Sequence, residues 1–298
     1  MPATKVALVG GSGNLGPAVL SSLLDAGFAV TVLTRQDSTS TFDTGVQVAK
    51  VNYESLDSLK AALAGNDVVV NTLGVGAVPR STHLRLVDAA VAAGVKRFIA
   101  SEYGCDTTHP KTSKLPVFGD KVAVQQHLKK VSQESGLSYS LLITGPFLDW
   151  GLQNGFLLDL SGPVATLYDG GERKVSATTL KGVGKAVAGI INNLSATENR
   201  TVYVNEARVS QKELLALSGK KNPETKIVQT VDLEQEALAE IAKPAPSHVV
   251  VARGFLRRAI FGEGFGTLFD SEKLSNDLFG LKTLSEEELR GLVASYSN

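Results

Sequence analysis

The chain has 298 residues, 43% of them hydrophobic, so it can bury a core large enough for one sizeable domain or two smaller ones. Thirty basic residues balance thirty acidic ones, and this zero net charge argues against binding to nucleic acid or to an anionic membrane. We recognise no signal peptide, no membrane-spanning stretch, no disulfide pair and no metal-ligand spacing, so we expect a cytoplasmic protein without a bound metal.

The first motif is a glycine-rich loop between a predicted strand and a predicted helix. The apolar run over residues 5–9 predicts the strand, and the loop follows it as Gly10, Gly11, Ser12, Gly13, Asn14, Leu15 and Gly16. Pro17 suits the first turn of a helix that ends at Gly27, and residues 28–34 predict a second strand. This order is typical of a dinucleotide-binding unit, in which the loop and the helix N-terminus bind the pyrophosphate. The alternative is a purely structural glycine turn.

The residue after the second strand indicates which dinucleotide binds. An acidic side chain there binds the ribose hydroxyls of NAD(H), whereas a cation accepts the 2′-phosphate of NADP(H). This chain has Arg35, whose planar fork suits a phosphate, so we predict NADP(H). A solvated surface arginine is the alternative, and the nearby Asp37 favours it.

The alternation of strands and helices continues along the chain. Further strands are predicted over residues 46–51, 67–71, 96–101 and 139–143, and helices after the capping residue Ser55 and over residues 84–93 and 120–135. Such repeats predict an α/β fold, a Rossmann-type doubly wound parallel sheet.

The pattern changes after Pro146. Residues 147–171 have no clear period, residues 181–192 predict a helix, residues 201–204 a strand, and residues 243–246 a turn or linker. We therefore expect an NADP-binding domain over residues 1–150. A smaller C-terminal α/β substrate lobe over residues 151–298 would follow, with some of its segments returning to the first domain.

Several predicted strands end in segments that can bind a ligand, because the carboxyl ends of parallel strands meet at one edge of the sheet. Besides the glycine-rich loop and Arg35, we expect cofactor contacts from Thr72, Leu73, Gly74, Ser101, Glu102, Gly145, Pro146 and Phe147. We assign Tyr103, Phe147 and Trp150 to substrate binding, although Phe147 and Trp150 also suit a core.

The sequence of these segments resembles the NmrA-like atypical short-chain reductases, which include isoflavone reductase, phenylcoumaran benzylic ether reductase and pinoresinol-lariciresinol reductase. The resemblance is carried by the glycine-rich loop, Leu33-Thr34-Arg35, residues 67–74 and above all residues 94–104, and it is looser after residue 150. It implies an NADPH-dependent reductase of a small aromatic or conjugated metabolite.

The usual tyrosine–lysine pair of short-chain dehydrogenases is absent, since none of the six tyrosines has a lysine four positions later. In the family that the chain resembles, a lysine on the helix after residues 101–104 takes this place. Lys121 matches it, and we expect this residue to contact the cofactor as well. On a helix, Lys121 borders an apolar stripe, and desolvation there makes a lysine available as a general base. The alternatives are a surface lysine at this position and Lys114 as the matching residue, because the segment that follows Lys121 is longer than in the plant reductases.

A second function stays open: a non-catalytic, NADP(H)-sensing regulator of the NmrA type that binds a protein partner. The plant members also place a second basic residue after the arginine, and residues 36–43 have no match for it. We expect no catalytic role for the histidines or for Cys105. The sequence does not identify the substrate. It is compatible with a homodimer but does not define the oligomeric state.

Overall fold

The computed structural model describes residues 4–74 and 76–297, which form two compact units. The first unit contains the described residues up to Glu102 together with Asp120–Leu142 and Val183–Val202. The second contains Tyr103–Gly119, Ile143–Gly182 and the described residues from Tyr203 onward. The functional division into an NADP-binding domain over residues 1–150 and a substrate lobe over residues 151–298 stays a prediction.

The strands are, in chain order, β1 (Lys5–Val9), β2 (Ala29–Arg35), β3 (Gln47–Val51), β4 (Val68–Asn71), β5 (Arg97–Ala100), β6 (Ser138–Ile143), β7 (Val164–Tyr168), β8 (Val175–Ala177), β9 (Arg200–Tyr203), β10 (Ala207–Val209) and β11 (Glu224–Val228). Seven of them form one sheet in the order β3-β2-β1-β4-β5-β6-β9. The strands from β3 to β6 are parallel to their neighbours. The chain winds in one direction from β1 to β3 and in the other from β4 onward, which confirms the predicted doubly wound Rossmann-type sheet.

The α-helices are, in chain order, α1 (Gly16–Asp25), α2 (Leu56–Leu63), α3 (Arg80–Ala92), α4 (Gly119–Glu134), α5 (Leu148–Gln153), α6 (Leu180–Asn192), α7 (Gln211–Leu217), α8 (Thr230–Ile241), α9 (His248–Phe261), α10 (Asn276–Phe279) and α11 (Glu286–Ala294). Short 3₁₀ helices lie at Thr112–Lys114, Pro116–Phe118, Ser195–Thr197 and Ser271–Lys273. In the second unit, β8 pairs with β10 in an antiparallel ladder and β7 with β11 in a parallel one.

The predicted strands are all present in the sheet, with ends that differ by at most one residue. Helix α3 is the exception among the early elements, because it begins at Arg80 rather than at residue 84. Pro79 precedes it in an extended conformation (φ −62°, ψ 153°), and a proline needs no backbone donor at the start of a helix. The irregular stretch after Pro146 contains α5 and β7, which the sequence pattern did not predict.

The first unit buries an apolar layer between the sheet and its helices. Strands β4 and β5 are buried along their whole length, as expected when helices cover both faces of a parallel sheet. Helix α2 contributes Leu59 and Leu63, α3 contributes Leu86, and α4 contributes Val124 and Leu128 to one continuous core. This packing fixes the strand ends from which the candidate site is built.

Arg97, the first residue of β5, joins the late segment of the first unit to the sheet. Its side chain is 2% exposed. It donates hydrogen bonds to the hydroxyls of Ser138, Ser140 and Thr197 and to the carbonyl oxygen of Leu194, at 2.7–3.0 Å. Burial lowers the pKa of Arg97, and Glu198 opposes this shift. The buried charge is therefore held by neutral oxygen acceptors contributed by two distant parts of the chain.

Replacing Arg97 with methionine should lower the free energy of unfolding by about 2–4 kcal/mol, because buried acceptors lose a charged donor. Chemical denaturation of the two proteins measures this difference. The adjacent Lys96→Met is the matched control, because the ion pair of Lys96 with Asp67 is exposed and its loss should cost less than about 1 kcal/mol. Equal effects of the two substitutions would contradict the structural role of Arg97.

Candidate functional site

The glycine-rich loop leaves β1 through a turn that only glycine can form without strain. Gly10 has φ +85°, and a Cβ atom there would lie 2.8 Å from Oγ1 of Thr72. A Cβ atom on Gly16 would lie 2.4 Å from the carbonyl oxygens of Gly10 and Gly11. Both glycines are therefore required by the packing of the protein itself.

Gly13 differs from these two glycines because the protein leaves room at its position. It is exposed, and a Cβ atom there would meet only the carbonyl oxygen of Gly10, at 3.4 Å. Leu15 at the N-cap of α1 provides no side-chain hydrogen bond, and the first turn contains no acidic residue. The N–H groups at the start of α1 are thus available to an anion, which the helix dipole also favours.

Arg35 ends β2 with 76% of its side chain exposed. Its Nε lies 3.8 Å from the exposed carboxylate of Asp37, a contact that contributes little to stability. Lys50 on the neighbouring β3 donates to the carbonyl oxygens of Gln36 and Ser38 at 3.3 and 3.0 Å. A second cation therefore lies at the loop after Arg35. No sequence pattern indicates this position of Lys50, because it depends on the pairing of β2 with β3.

A cavity of about 570 Å³ lies beside the glycine-rich loop, within the first unit. Its wall consists of Gly11, Ser12, the outer face of α1 around Leu20 and Leu24, and residues 40–43. Residues 40–43 belong to the connection from β2 to β3, which contains no helix. The cavity places a partly apolar space next to the glycine-rich loop.

The segment after β4 is fixed to its neighbours on both sides. The hydroxyl of Thr72 donates to the carbonyl oxygen of Val9 at 2.7 Å, and the hydroxyl of Ser101 donates to the carbonyl oxygen of Leu73 at 2.7 Å. Gly74 has open space around its Cα atom. The ends of β1, β4 and β5 are therefore connected by hydrogen bonds at one edge of the sheet.

Lys121 lies in the first turn of α4, and its ammonium group donates to the carbonyl oxygen of Glu102 at 3.1 Å. Glu102 follows the end of β5 and is buried. The side chain of Lys121 is half-buried, whereas Lys129 and Lys130 on the same helix are exposed. This arrangement holds the Lys121 ammonium group just past the carboxyl end of β5.

His83 on α3 is a neighbour of Lys121 that the sequence did not reveal. It is 8% exposed, and burial is the main cause that lowers its pKa. The Asp120 carboxylate raises the pKa of His83, and the Lys121 ammonium group lowers it. An ion pair between Arg80 and Asp120 at 2.7 Å connects the starts of α3 and α4. His83 is close to Lys121 because α3 packs against α4, and hydrophobic periodicity along the sequence does not indicate which helices pack together.

The remaining predicted site residues belong to the second unit. Tyr103 is buried, and the next residue, Gly104, donates its N–H to Oγ1 of Thr144 at 3.0 Å. The N–H of Gly145 in turn donates to the carbonyl oxygen of Gly104 at 2.9 Å. Gly145 has φ +65°, and its backbone passes so close to Ser176 that no side chain fits. The segments that follow β5 and β6 are therefore joined.

Pro146 and Phe147 lead into α5. The carbonyl oxygen of Pro146 accepts from the N–H of Thr178, and Phe147 occupies the N-cap position of the helix. Trp150 is half-buried, and its ring centroid lies 6.0 Å from that of Phe156. Lys114, the alternative to Lys121, is exposed at the end of a 3₁₀ turn of the same unit.

Within residues 4–74 and 76–297, no group of three or more histidine, cysteine or carboxylate side chains is placed to bind a metal ion. Every helix in that part of the chain is too short or too polar for a transmembrane segment. Cys105 is buried.

Comparison with known proteins identifies relatives of the whole chain. The oxidoreductase aprR of Aspergillus flavus is 32% identical over 291 residues, which cover 96% of this chain and 97% of aprR. The isoflavone reductase homolog IRL of Zea mays is 29% identical over 290 residues, which cover 90% of this chain and 89% of IRL. Among solved structures, AtPrR2 with NADP+ and (+)pinoresinol has a TM-score of 0.80 at 22% identity and covers 99% of both chains.

The family itself follows from a match over most of the sequence. The model of the NmrA-like family matches residues 2–256, and this confirms the resemblance found in the glycine-rich loop and in residues 94–104. The match extends beyond the sheet into the second unit, as far as α9. The chain belongs to the NmrA-like family.

Proposed function

We propose that this protein is an NADPH-dependent reductase of a small aromatic or conjugated metabolite, with Lys121 as general base. The observation that carries the proposal is the position of the Lys121 ammonium group, which is bonded to the carbonyl oxygen of Glu102 at the end of β5. The same edge of the same sheet carries the glycine-rich loop after β1. The related oxidoreductase aprR and the isoflavone reductase homolog support a redox function.

The first unit fits the phosphates of NADP(H). In our proposal, the glycine-rich loop and the uncapped start of α1 bind the pyrophosphate, and Arg35 binds the 2′-phosphate. The exposed Gly13 supports this assignment, because the protein leaves the space beside it open. The structure of AtPrR2 with NADP+ supports the choice of cofactor. When bound, NADPH would supply the hydride.

Lys121 would act on the substrate. Its amine, when neutral, would take the proton of a phenol and leave a phenolate. In the alternative role, its ammonium form would stabilise the enolate that a conjugated carbonyl compound becomes on hydride addition. The hydrogen bond to the carbonyl oxygen of Glu102 orients the Lys121 ammonium group and restricts its motion. In our proposal, the group can therefore bind the substrate and transfer a proton from the same position. A lysine needs no tyrosine partner for this role, which fits the absence of the usual tyrosine–lysine pair.

Other residues complete the proposed site by position. Residues after β4 and β5, namely Thr72, Leu73, Gly74, Ser101 and Glu102, are proposed to contact the cofactor together with Gly145, Pro146 and Phe147. Tyr103, Phe147 and Trp150 are proposed to contact the substrate. These assignments rest on their places after strands β4, β5 and β6.

The phosphate preference can be measured directly. NADPH should bind at least about tenfold more tightly than NADH, a difference of about 1.4 kcal/mol, which one charge-assisted phosphate contact can supply. Arg35→Asp should abolish or reverse this preference in calorimetric titrations. Asp37→Asn is the matched control and should keep it, because only the exposed partner of Arg35 is removed. Equal affinities of the unmodified protein for both cofactors would contradict the role of Arg35.

Gly13→Val should abolish NADPH binding and leave the fold intact, because the new side chain fills the space for the pyrophosphate but meets only one backbone oxygen. Gly16→Val is the contrasting variant and should unfold the protein or lower its melting temperature, because its Cβ atom collides with the loop. Melting curves and NADPH titrations separate the two effects. Normal NADPH binding by folded Gly13→Val would place the phosphate site elsewhere.

Lys121→Met should lower turnover by roughly 10²–10⁴, the usual contribution of a general base, while NADPH affinity changes little. The assay follows transfer of the labelled hydride from NADPH to candidate aromatic metabolites. Lys114→Met is the matched control and should retain turnover. A loss of turnover only in Lys114→Met would reassign the base, and a protein that binds NADPH but reduces no candidate would favour the regulator.

The position of Lys121 can be tested without turnover. Lys121→Met should raise the pKa of His83, because a nearby cation that disfavours the imidazolium is removed. Asp120→Asn should lower it, because an anion that favours the imidazolium is removed. The chain has four histidines, so NMR titration can resolve the His83 signal. A pKa of His83 that is unchanged in both variants would show that these charges lie farther away.

A further inference from the structure

Arg257 on α9 contacts two aromatic rings within the second unit. Its guanidinium carbon lies 4.8 Å from the ring centroid of Tyr168 and 5.6 Å from that of Phe156. Both distances are typical of cation–π contacts. The guanidinium group thus lies over both rings, and a cation–π contact through a guanidinium face leaves the N–H edge for a hydrogen-bond acceptor.

No acceptor for this edge is found in the described part of the chain. The Nε atom of Arg257 is buried without a hydrogen-bond partner, and no carboxylate lies within ion-pair distance of the guanidinium group. Its neighbour Arg258 shows the contrast, since it donates to Glu234 at 2.7 Å and to Thr230 at 2.8 Å. A buried donor without an acceptor is costly, so this edge of Arg257 is suited to an acceptor from outside the described chain.

Arg257 and its charged neighbours Arg253 and Asp159 carry a net positive charge. Arg253 lies one turn earlier on α9 and acts electrostatically on Arg257, as does the Asp159 carboxylate. Lys220 in turn acts electrostatically on Asp159. One oxygen of Asp159 accepts from the N–H and the hydroxyl of Ser161. Burial is the main cause that lowers the pKa of Arg257, and Arg253 lowers it further. Arg257 and Arg253 together exceed the charge of Asp159, and this net positive charge favours an anionic ligand.

Aromatic side chains connect Arg257 to Trp150, which we assign to substrate binding. The Trp150 and Phe156 rings are tilted by 54° with centroids 6.0 Å apart, and both are half-buried. Phe156 is also one of the two rings that contact Arg257. One continuous surface therefore offers aromatic faces at one end and a guanidinium group at the other.

We propose that Arg257 binds the carboxylate of an aromatic acid, and that Trp150 and Phe156 contact the aromatic ring of the same molecule. A carboxylate matches the planar guanidinium fork and is ionised at neutral pH, whereas a phenol is protonated there. The inference rests on the proposed function, since it narrows the substrate class from aromatic metabolites to those that carry a carboxylate.

Trp150 makes this proposal testable, because it is the one tryptophan of the chain and its fluorescence reports on this surface. The probes are 3-phenylpropionate and its neutral amide, 3-phenylpropanamide, titrated into the full-length protein. We expect the acid to bind at least about tenfold more tightly than the amide, as one charge-assisted pair allows. Arg257→Met should abolish this preference, since it keeps much of the apolar stem and removes the charge.

Arg253→Met is the matched control on the same helix, and its acid preference should change less than about threefold, because an exposed charge is screened by solvent. If Arg257→Met does not fold, Arg257→Lys replaces it, and loss of the fork should lower the preference at least about threefold. The proposal is overturned by equal binding of the two probes, by binding of neither, or by an unchanged preference in the folded Arg257 variant. Because the titration needs no NADPH turnover, failure to reduce a metabolite leaves its result standing.

Discussion

The close packing of the glycine-rich loop against the start of α1 is the constraint on which the rest of the first unit depends. Gly16 can begin the helix there because it has no Cβ atom to meet the carbonyl oxygens of Gly10 and Gly11. The same turn brings Gly10 against Thr72, whose hydroxyl bonds to the end of β1. A larger residue at either glycine would separate the helix from the strand end.

From that contact, hydrogen bonds extend across the edge of the sheet. The segment after β4 is bonded to β1 through Thr72 and to Ser101 through Leu73, and the residue after Ser101 provides the carbonyl oxygen that holds Lys121. In each of these bonds a side chain donates to a backbone carbonyl oxygen, so three side chains align the strand ends and Lys121. In the second unit, Asp149 has a comparable role, since its carboxylate accepts from the N–H groups of Trp150 and Leu180.

Sequence patterns predicted the parallel sheet well because its signals are local. Each strand is a short apolar run, and glycine, proline and serine residues indicate where helices begin and end, as Ser55 does for α2. The second unit was harder for a physical reason. Strand β7 pairs with β11 about sixty residues later, and a short helix such as α5 has too few turns to show a period. The positions of Lys50 near Arg35 and of His83 near Lys121, two predicted site residues, depend on such long-range packing as well.

The first unit is assembled from three separate stretches of chain, and this has a consequence for truncation. A fragment that ends at residue 150 would lack α6 and β9, so the outer edge of β6 would have unpaired backbone groups. Arg97 would lose its acceptors on Leu194 and Thr197 in the same fragment. Open strand edges promote intermolecular pairing, so such a fragment would tend to aggregate. The proposed nucleotide-binding domain could therefore not fold as an independent module with these boundaries.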